Sequence, residues 1–515
     1  MLTRAASFED LATWDDLSLH PIHPVVTGTV IYAMDDVMDL EPYPNYIDPR
    51  PPLPEVAEID ETMNALTAQL EALRLKKSEL LASNSLIKRL PPEIMSRVFE
   101  IGVHECISFL PMLSLVSHHW RAIAVATPSL WSYIRMDSPV THASFMQRMK
   151  VYLQRSQACK ILVDIDCRYI EPGPDLQQIM TELDPHLDRC YEFRVSAHDW
   201  VWMEVIRSGV QSLGPALEQL YLRLDPSDSE EQPPFNVLSN PCPRLRYVTL
   251  EHTPLLCIRT ELPSLRALHL IRDQRYSSSS RIGISFKELQ TVLTSTPTLE
   301  DLRIQSATFL LDGTECILQP SPTITTFPQL RRLSFHYVDT NNLSLFLETA
   351  RFPALTRLSV QMDTSGDESM QWLGRLSLES ETRFPVLRHL DLKSFSTEGA
   401  AIVPLIRALH RLPNLTALGI SSPPNGHIGG RIFDVLSASP MAEFGGTWIL
   451  PKLQALCVQN CRDVSGHELY QVAWARNGSG AGVMPIRYIK ISQCFSLDPE
   501  VEQQLSRLVD TVRVL

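Results

Sequence analysis

Pro328-Gln-Leu-Arg-Arg-Leu-Ser-Phe335 is followed, twenty-five residues on, by Pro353-Ala-Leu-Thr-Arg-Leu-Ser-Val360. Both read Pro-x-Leu-x-x-apolar-x-apolar, and the same phrase begins at Pro215, Pro243, Pro263, Pro297, Pro385, Pro413 and Pro451. A tenth copy, Pro485-Ile486-Arg-Tyr-Ile489-Lys-Ile491, drops one residue after the proline. From one first apolar position to the next the steps are 28, 20, 34, 31, 25, 32, 28, 38 and 33 residues. A recurring phrase at periods of this size is the mark of a solenoid, in which no unit buries its apolar face until its neighbours stack on it.

The last two apolar residues of each phrase lie two apart, so on a strand they point the same way, into a core. Proline is expected just ahead of the strand, where no ladder donor is lost. Helical patterns fill the gaps at 286–294, 343–350, 402–410, 432–436 and 469–475. Each repeat therefore reads as strand plus helix, with earlier, less regular strands near Ile161–Ile165 and Tyr191–Val195. The class is α/β.

Ahead of the repeats the composition changes. Residues 1–57 carry eight prolines and no sustained period, which predicts a disordered tail. Residues 1–58 hold eleven Asp and Glu against Arg4 and Arg50, so most of the formal charge of −13 sits there. A chain this acidic has no general attraction for phosphate backbones or anionic lipid, which argues against nucleic acid or a membrane as partner. Within 58–86, Ile59, Met63, Leu66, Leu70, Leu73, Lys77 and Leu80 alternate by four and three. That is one narrow apolar stripe on a helix, packed on the chain's own body or on a second copy as a coiled coil.

Pro91 and Pro92 open a further helix, since proline is tolerated in the first turn and Glu93 suits its positive end. Ile94, Val98 and Ile101 share one face, and Met95 and Phe99 another. Gly102 is expected to end it, with two short helices within Leu110–Ala126 and a strand over 131–136. Ten scattered cysteines without a C-x-x-C pair, no signal-like start and no long apolar run predict a soluble protein of cytoplasm or nucleus, with reduced thiols.

Residues 88–131 contain Lys-Arg-Leu-Pro-Pro-Glu-Ile-Met-Ser-Arg-Val-Phe-Glu-Ile, then Leu-Ser-Leu-Val-Ser-His-His-Trp-Arg-Ala-Ile-Ala, then Thr-Pro-Ser-Leu-Trp. This run resembles the F-box of many fungal F-box proteins, although Ser117 stands where cysteine is common. Residues 215–515 resemble a leucine-rich repeat array, with Cys461 and Cys494 at the ladder position three places after the last apolar residue. The organisation expected is a tail (1–57), a short helix or coiled coil (58–86), an all-helical F-box (87–136) and a leucine-rich-repeat-like solenoid (137–515). The resemblance implies a substrate-recognition subunit of an SCF-type cullin-RING ubiquitin ligase, binding a Skp-type adaptor through Leu90, Pro91, Pro92, Ile94, Val98, Val116 and Trp120. The alternative is a repeat scaffold outside any ligase.

An enzyme would need a site, and the candidates fall short. His467-Glu-Leu-Tyr-Gln471 has glutamine where a zinc protease needs its second histidine, Gly478-Ser-Gly-Ala-Gly482 lacks a dinucleotide-loop spacing, and Cys457 with Cys461 has no second pair. The expectation is a non-catalytic subunit without metal or cofactor. Its target should meet the residues flanking the inward pair on the middle strands, among them Arg303, Arg332, His336, Arg357, His389 and Lys393. Arg303, Arg332 and Arg357 are expected to form one ladder that holds an acidic or phosphorylated protein.

Overall fold

The computed structural model describes residues 54–83, 87, 90–106, 108–136, 142–225, 236–238, 240–258, 261–272, 283–306, 308–310, 325–338, 340–362, 372–373, 384–395, 402–422, 428, 430–438, 447–461, 464–478, 482–494 and 498–515. Of the tail expected at 1–57, residues 1–53 lie outside them and residues 54–57 open the first helix. Two compact units divide after Leu130.

The first unit is helical, with α1 at Pro54–Ser83, α2 at Pro92–Glu105, α3 at Phe109–Val116 and α4 at His118–Ala126. Residues 56–77 of α1 are exposed throughout. Helix α2 starts as its prolines dictate, with Pro91 at the N-cap and Pro92 in the first turn. Met95, Phe99 and Val103 turn inward, onto Leu110 and Leu113 of α3 and Ile123 and Ala124 of α4. Gly102 does not end α2. A Cβ there would stand 2.4 Å from the Phe109 ring, so the glycine lets α3 begin against it. Ser117 caps α4 by accepting a hydrogen bond from the Trp120 amide at 3.2 Å, a role open to serine.

The second unit carries one parallel sheet of fourteen strands among the described residues, paired in chain order. They are β1 (Tyr133–Met136), β2 (Ile161–Asp166), β3 (Cys190–Ala197), β4 (Gln219–Leu224), β5 (Tyr247–Glu251), β6 (Ala267–Ile271), β7 (Asp301–Gln305), β8 (Arg332–Val338), β9 (Arg357–Met362), β10 (His389–Lys393), β11 (Ala417–Ser421), β12 (Ala455–Gln459), β13 (Tyr488–Ser492) and β14 (Thr511–Val514). The strand expected at 131–136 is thus the first strand of this sheet. Return paths include helices at Phe286–Thr294, Thr340–Thr349, Ile402–His410, Arg431–Ser437 and His467–Asn477. No described helix is long and apolar enough to cross a membrane.

Register explains the repeat. Leu302, Leu333, Leu358, Leu390, Leu418, Leu456 and Ile489 stand side by side from β7 to β13, and Ile304, Phe335, Val360, Leu392, Ile420, Val458 and Ile491 form the second row. All are buried in one continuous core. The proline has a different task from the one expected. It lies four residues before the strand, as second residue of a tight turn closed by the next leucine: Leu245 N–H donates to Cys242 O, Leu355 to Phe352 O and Leu415 to Leu412 O. Its fixed φ suits that corner.

Three of these turns begin with phenylalanine. Phe327, Phe352 and Phe384 stack with ring centroids 5.5 and 6.0 Å apart, and Phe346 joins them at 6.0 Å from Phe352. Six of the strands share one backbone step. His252, Ser306, Tyr337, Ser394, Asn460 and Gln493 each follow the fifth residue of their strand and have φ between 52° and 60°. That left-handed region suits asparagine and glycine and costs other residues energy.

Candidate functional site

On the helical unit, Leu90 just ahead of α2 and the outer face of α2 stay apolar in the open. Leu90, Ile94 and Val98 are 41%, 52% and 51% exposed, and Val116 at the end of α3 is 58% exposed. Pro91 and Pro92 are exposed as well. Beneath them the core is already closed by Phe99 and Leu113. Trp120 differs from the rest. It is half-buried, with its ring 5.0 Å from that of Phe99, so it supports the surface more than it forms it. Met112 and Leu115 are also exposed and extend the apolar area on α3. Such a cluster on a small unit, over a core that no longer needs it, is the usual trace of a docking surface.

On the sheet, the residues flanking the inward pair fall into three rows. Asp301, Arg332, Arg357 and His389 share the first, Arg303, Ser334, Ser359 and Asp391 the second, and Gln305, His336, Gln361 and Lys393 the third. This corrects the single arginine ladder. Arg332 and Arg357 are register partners, whereas Arg303 stands opposite Ser334, one row further along. The cause is the alternation of the strand: Arg303 is the third residue of β7, while Arg332 and Arg357 open theirs.

The six residues expected to bind a target are not equivalent. Arg332 is exposed and its Nε lies 3.0 Å from Asp301 Oδ2. Arg357 and His389 are half-buried beside it. Arg303 donates from Nη2 to Gln305 Oε1 at 2.9 Å, and burial holds its guanidinium below the ordinary arginine range. Lys393 is drawn to Asp391, with Nζ 3.3 Å from Oδ2. His336 is buried, and burial together with the Arg303 and Lys393 charges pushes its imidazole down to about 3. It is neutral at physiological pH and adds no cation.

Two arginines that the strand pattern alone did not single out stand one position ahead of the first row. Arg331 and Arg388 precede β8 and β10 and are exposed. The Arg331 carbonyl accepts from the Thr356 amide at 2.9 Å and the Thr356 carbonyl from the Arg388 amide at 2.9 Å, so these positions too run from strand to strand. Arg331, Arg332, Arg357 and Arg388 concentrate basic charge at the entrance to three neighbouring strands, with Glu300 and Asp301 at one end. Their phase was visible as Arg-Arg at 331–332 and Arg-His at 388–389.

The ladder cysteines behave as expected of that position. Cys461 Sγ donates to the Gln459 carbonyl at 3.1 Å and Cys494 Sγ to the Ser492 carbonyl at 3.5 Å. The neighbouring Cys461 side chain holds the Cys494 thiol below the ordinary cysteine range. Thr253 occupies the same offset after β5 and bonds the Glu251 carbonyl at 3.0 Å and the Leu222 carbonyl at 3.2 Å.

No protein-family model and no curated relative matches the sequence. Among solved structures, the chain is similar to one in a TLR13–ssRNA13 complex, with 16% identity, a TM-score of 0.34 and coverage of 63% of this chain and 42% of that one. It thus spans less than half the length of that neighbour. It is also similar to a chain of the yeast Rad7 and Elc1 complex, with 12% identity, a TM-score of 0.28 and coverage of 87% of this chain and 91% of that one.

Proposed function

We propose that the chain is the substrate-recognition subunit of an SCF-type cullin-RING ubiquitin ligase, acting in cytoplasm or nucleus. The helical unit takes the role of an F-box and binds a Skp-type adaptor, and the sheet of the solenoid holds a target protein. The subunit is non-catalytic: it positions its target while other subunits carry ubiquitin. The observation that carries this reading is the exposed row Leu90, Ile94 and Val98, with Val116, above a closed core. Those residues stand in the stretch that resembles the F-box, at the places where such a domain meets its adaptor.

Burial of each large side chain in a complex is worth about 1.5 to 3 kcal/mol. Mixing purified full-length chain with a Skp-type adaptor is expected to give a stable complex. Leu90→Ala with Ile94→Ala should weaken it by at least about tenfold without loss of helicity. A wild-type chain that ignores the adaptor sinks the ligase reading and leaves a repeat scaffold outside any ligase. The target's chemistry follows from the arginines at the entrance to β8, β9 and β10, which suit a carboxylate-rich or phosphorylated segment.

A further inference from the structure

Helix α1 carries an apolar stripe that the described residues leave uncovered. Leu66 is 64% exposed, Leu73 is 67% exposed, and Val56, Ile59, Met63 and Leu70 are exposed on the same seam. In heptad terms, Val56, Met63, Leu70 and Lys77 take the first core position and Ile59, Leu66 and Leu73 the second. Helix α1 is 30 residues long, enough for about four heptads, or roughly 45 Å. An exposed apolar stripe of this length costs solubility unless a partner helix meets it.

The stripe is complementary to itself when it is reversed. With two copies antiparallel and centred on position 68, Leu66 faces Leu70 of the other copy, Met63 faces Leu73 and Ile59 faces Lys77. Each lysine then lies along an aliphatic neighbour, with its charge free to reach water. The flanking positions agree: Asp60 comes beside Arg74 of the other copy, twice by symmetry, and Thr67 meets Thr67. In a parallel pair Lys77 would stack on Lys77, and Asp60 and Arg74 would be two heptads apart. We propose that α1 pairs with the α1 of a second copy in an antiparallel two-stranded coiled coil, making the protein a homodimer. Such an interface is isologous, the same patch serving both partners, and closes at two.

The full-length chain is tested by sedimentation velocity over a wide concentration range. A concentration-dependent dimer is expected for the wild type, and a monomer for Leu66→Glu with Leu70→Glu, with helicity checked by circular dichroism. Asp60→Lys alone should weaken the dimer roughly tenfold, because two ion pairs turn repulsive. Adding Arg74→Asp should restore it to within about threefold, since the pairs are re-formed with exchanged signs. A wild type that stays monomeric, a trimer, or a dimer that survives the double glutamate variant overturns the proposal. A charge-exchanged variant no stronger than Asp60→Lys overturns the antiparallel register.

Discussion

Arg332 is the direct register partner of Arg357 on the neighbouring parallel strand, and Asp301, its register partner on the other side, lies 3.0 Å from its Nε. Parallel strands run about 5 Å apart, so the two guanidinium groups repel each other unless anions lie between them. With Arg331 and Arg388 close by, that row carries more cation than Asp301 offsets.

The first expectation follows from this pair. Charge-assisted hydrogen bonds contribute about 1.5 to 3 kcal/mol each, so Arg332→Glu with Arg357→Glu should lower capture of an acidic or phosphorylated target by about a hundredfold or more. Adaptor binding and the melting temperature should hold. Arg303→Gln, one row away and engaged with Gln305, should change capture far less. Removal of residues 1–57 should leave capture intact. Competition binding with a labelled target segment reads all of these, and an effect confined to Arg303→Gln or to the truncation would move recognition elsewhere.

His336 sets a pH dependence. Its pKa falls from an ordinary value near 6.5 to about 3 in the fold, so between those values the unfolded chain binds a proton that the folded chain refuses. Stability is therefore whole above about 6.5 and declines as pH drops towards 3. Linkage gives a loss of about 2 kcal/mol between pH 7 and pH 5. His336→Gln should flatten that part of the curve in urea titrations. An unchanged slope would mean that the imidazole is not buried neutral.

The stacked phenylalanines make the middle of the solenoid sensitive. Phe352 is fully buried and touches Phe327, Phe346 and Phe384, so Phe352→Ala should cost about 3 to 5 kcal/mol. Leu390→Ala in the sheet row beside it should cost about 2 to 5 kcal/mol. Because repeats touch mainly their neighbours, the damage should stay local. Hydrogen exchange is expected to rise around β8–β10 while the helical unit keeps its adaptor. Loss of adaptor binding would show one cooperative body.

Arg476 is a buried cation that ties two segments together. Its Nε donates to Leu436 O at 2.9 Å, Nη1 to Leu450 O at 3.0 Å and Nη2 to Ile449 O at 2.5 Å. Burial lowers its pKa to about 10. Arg476→Ala strands three buried carbonyls and leaves a cavity, for an expected loss of about 3 kcal/mol or more. Arg476→Lys should recover little, because the three donors of an ammonium sit on one nitrogen and cannot span carbonyls set around a guanidinium. Thermal melts of the two variants, nearly equal and well below wild type, are the result expected.

Much of this was legible from the order of residues. The helices Phe286–Thr294 and Ile402–His410 lie where their apolar spacing put them, and Leu333 and Leu390 are buried as their period requires. The split of the arginines was also in the letters, since Arg303 comes six places after its proline and Arg332 and Arg357 four. Other features were not. Arg476 turns inward because carbonyls from distant segments converge on it, and no local pattern records that. Gly102 looks like a helix end until Phe109 is seen against it. Phenylalanine before three successive prolines was visible, but its stacking depends on turns that only the folded repeats bring together.

The left-handed residue after the strand explains how repeats of such unequal length share one register. Where it occurs, the chain enters through a proline corner and departs through a left-handed step, so what happens between departure and next entry does not affect the sheet. Return paths as different as those between β5 and β6 and between β10 and β11 can alternate without shifting a single leucine. The array therefore behaves as a rack whose slots are fixed and whose cables are free. Insertions and deletions in the return paths should therefore change the outer surface while leaving the core alone.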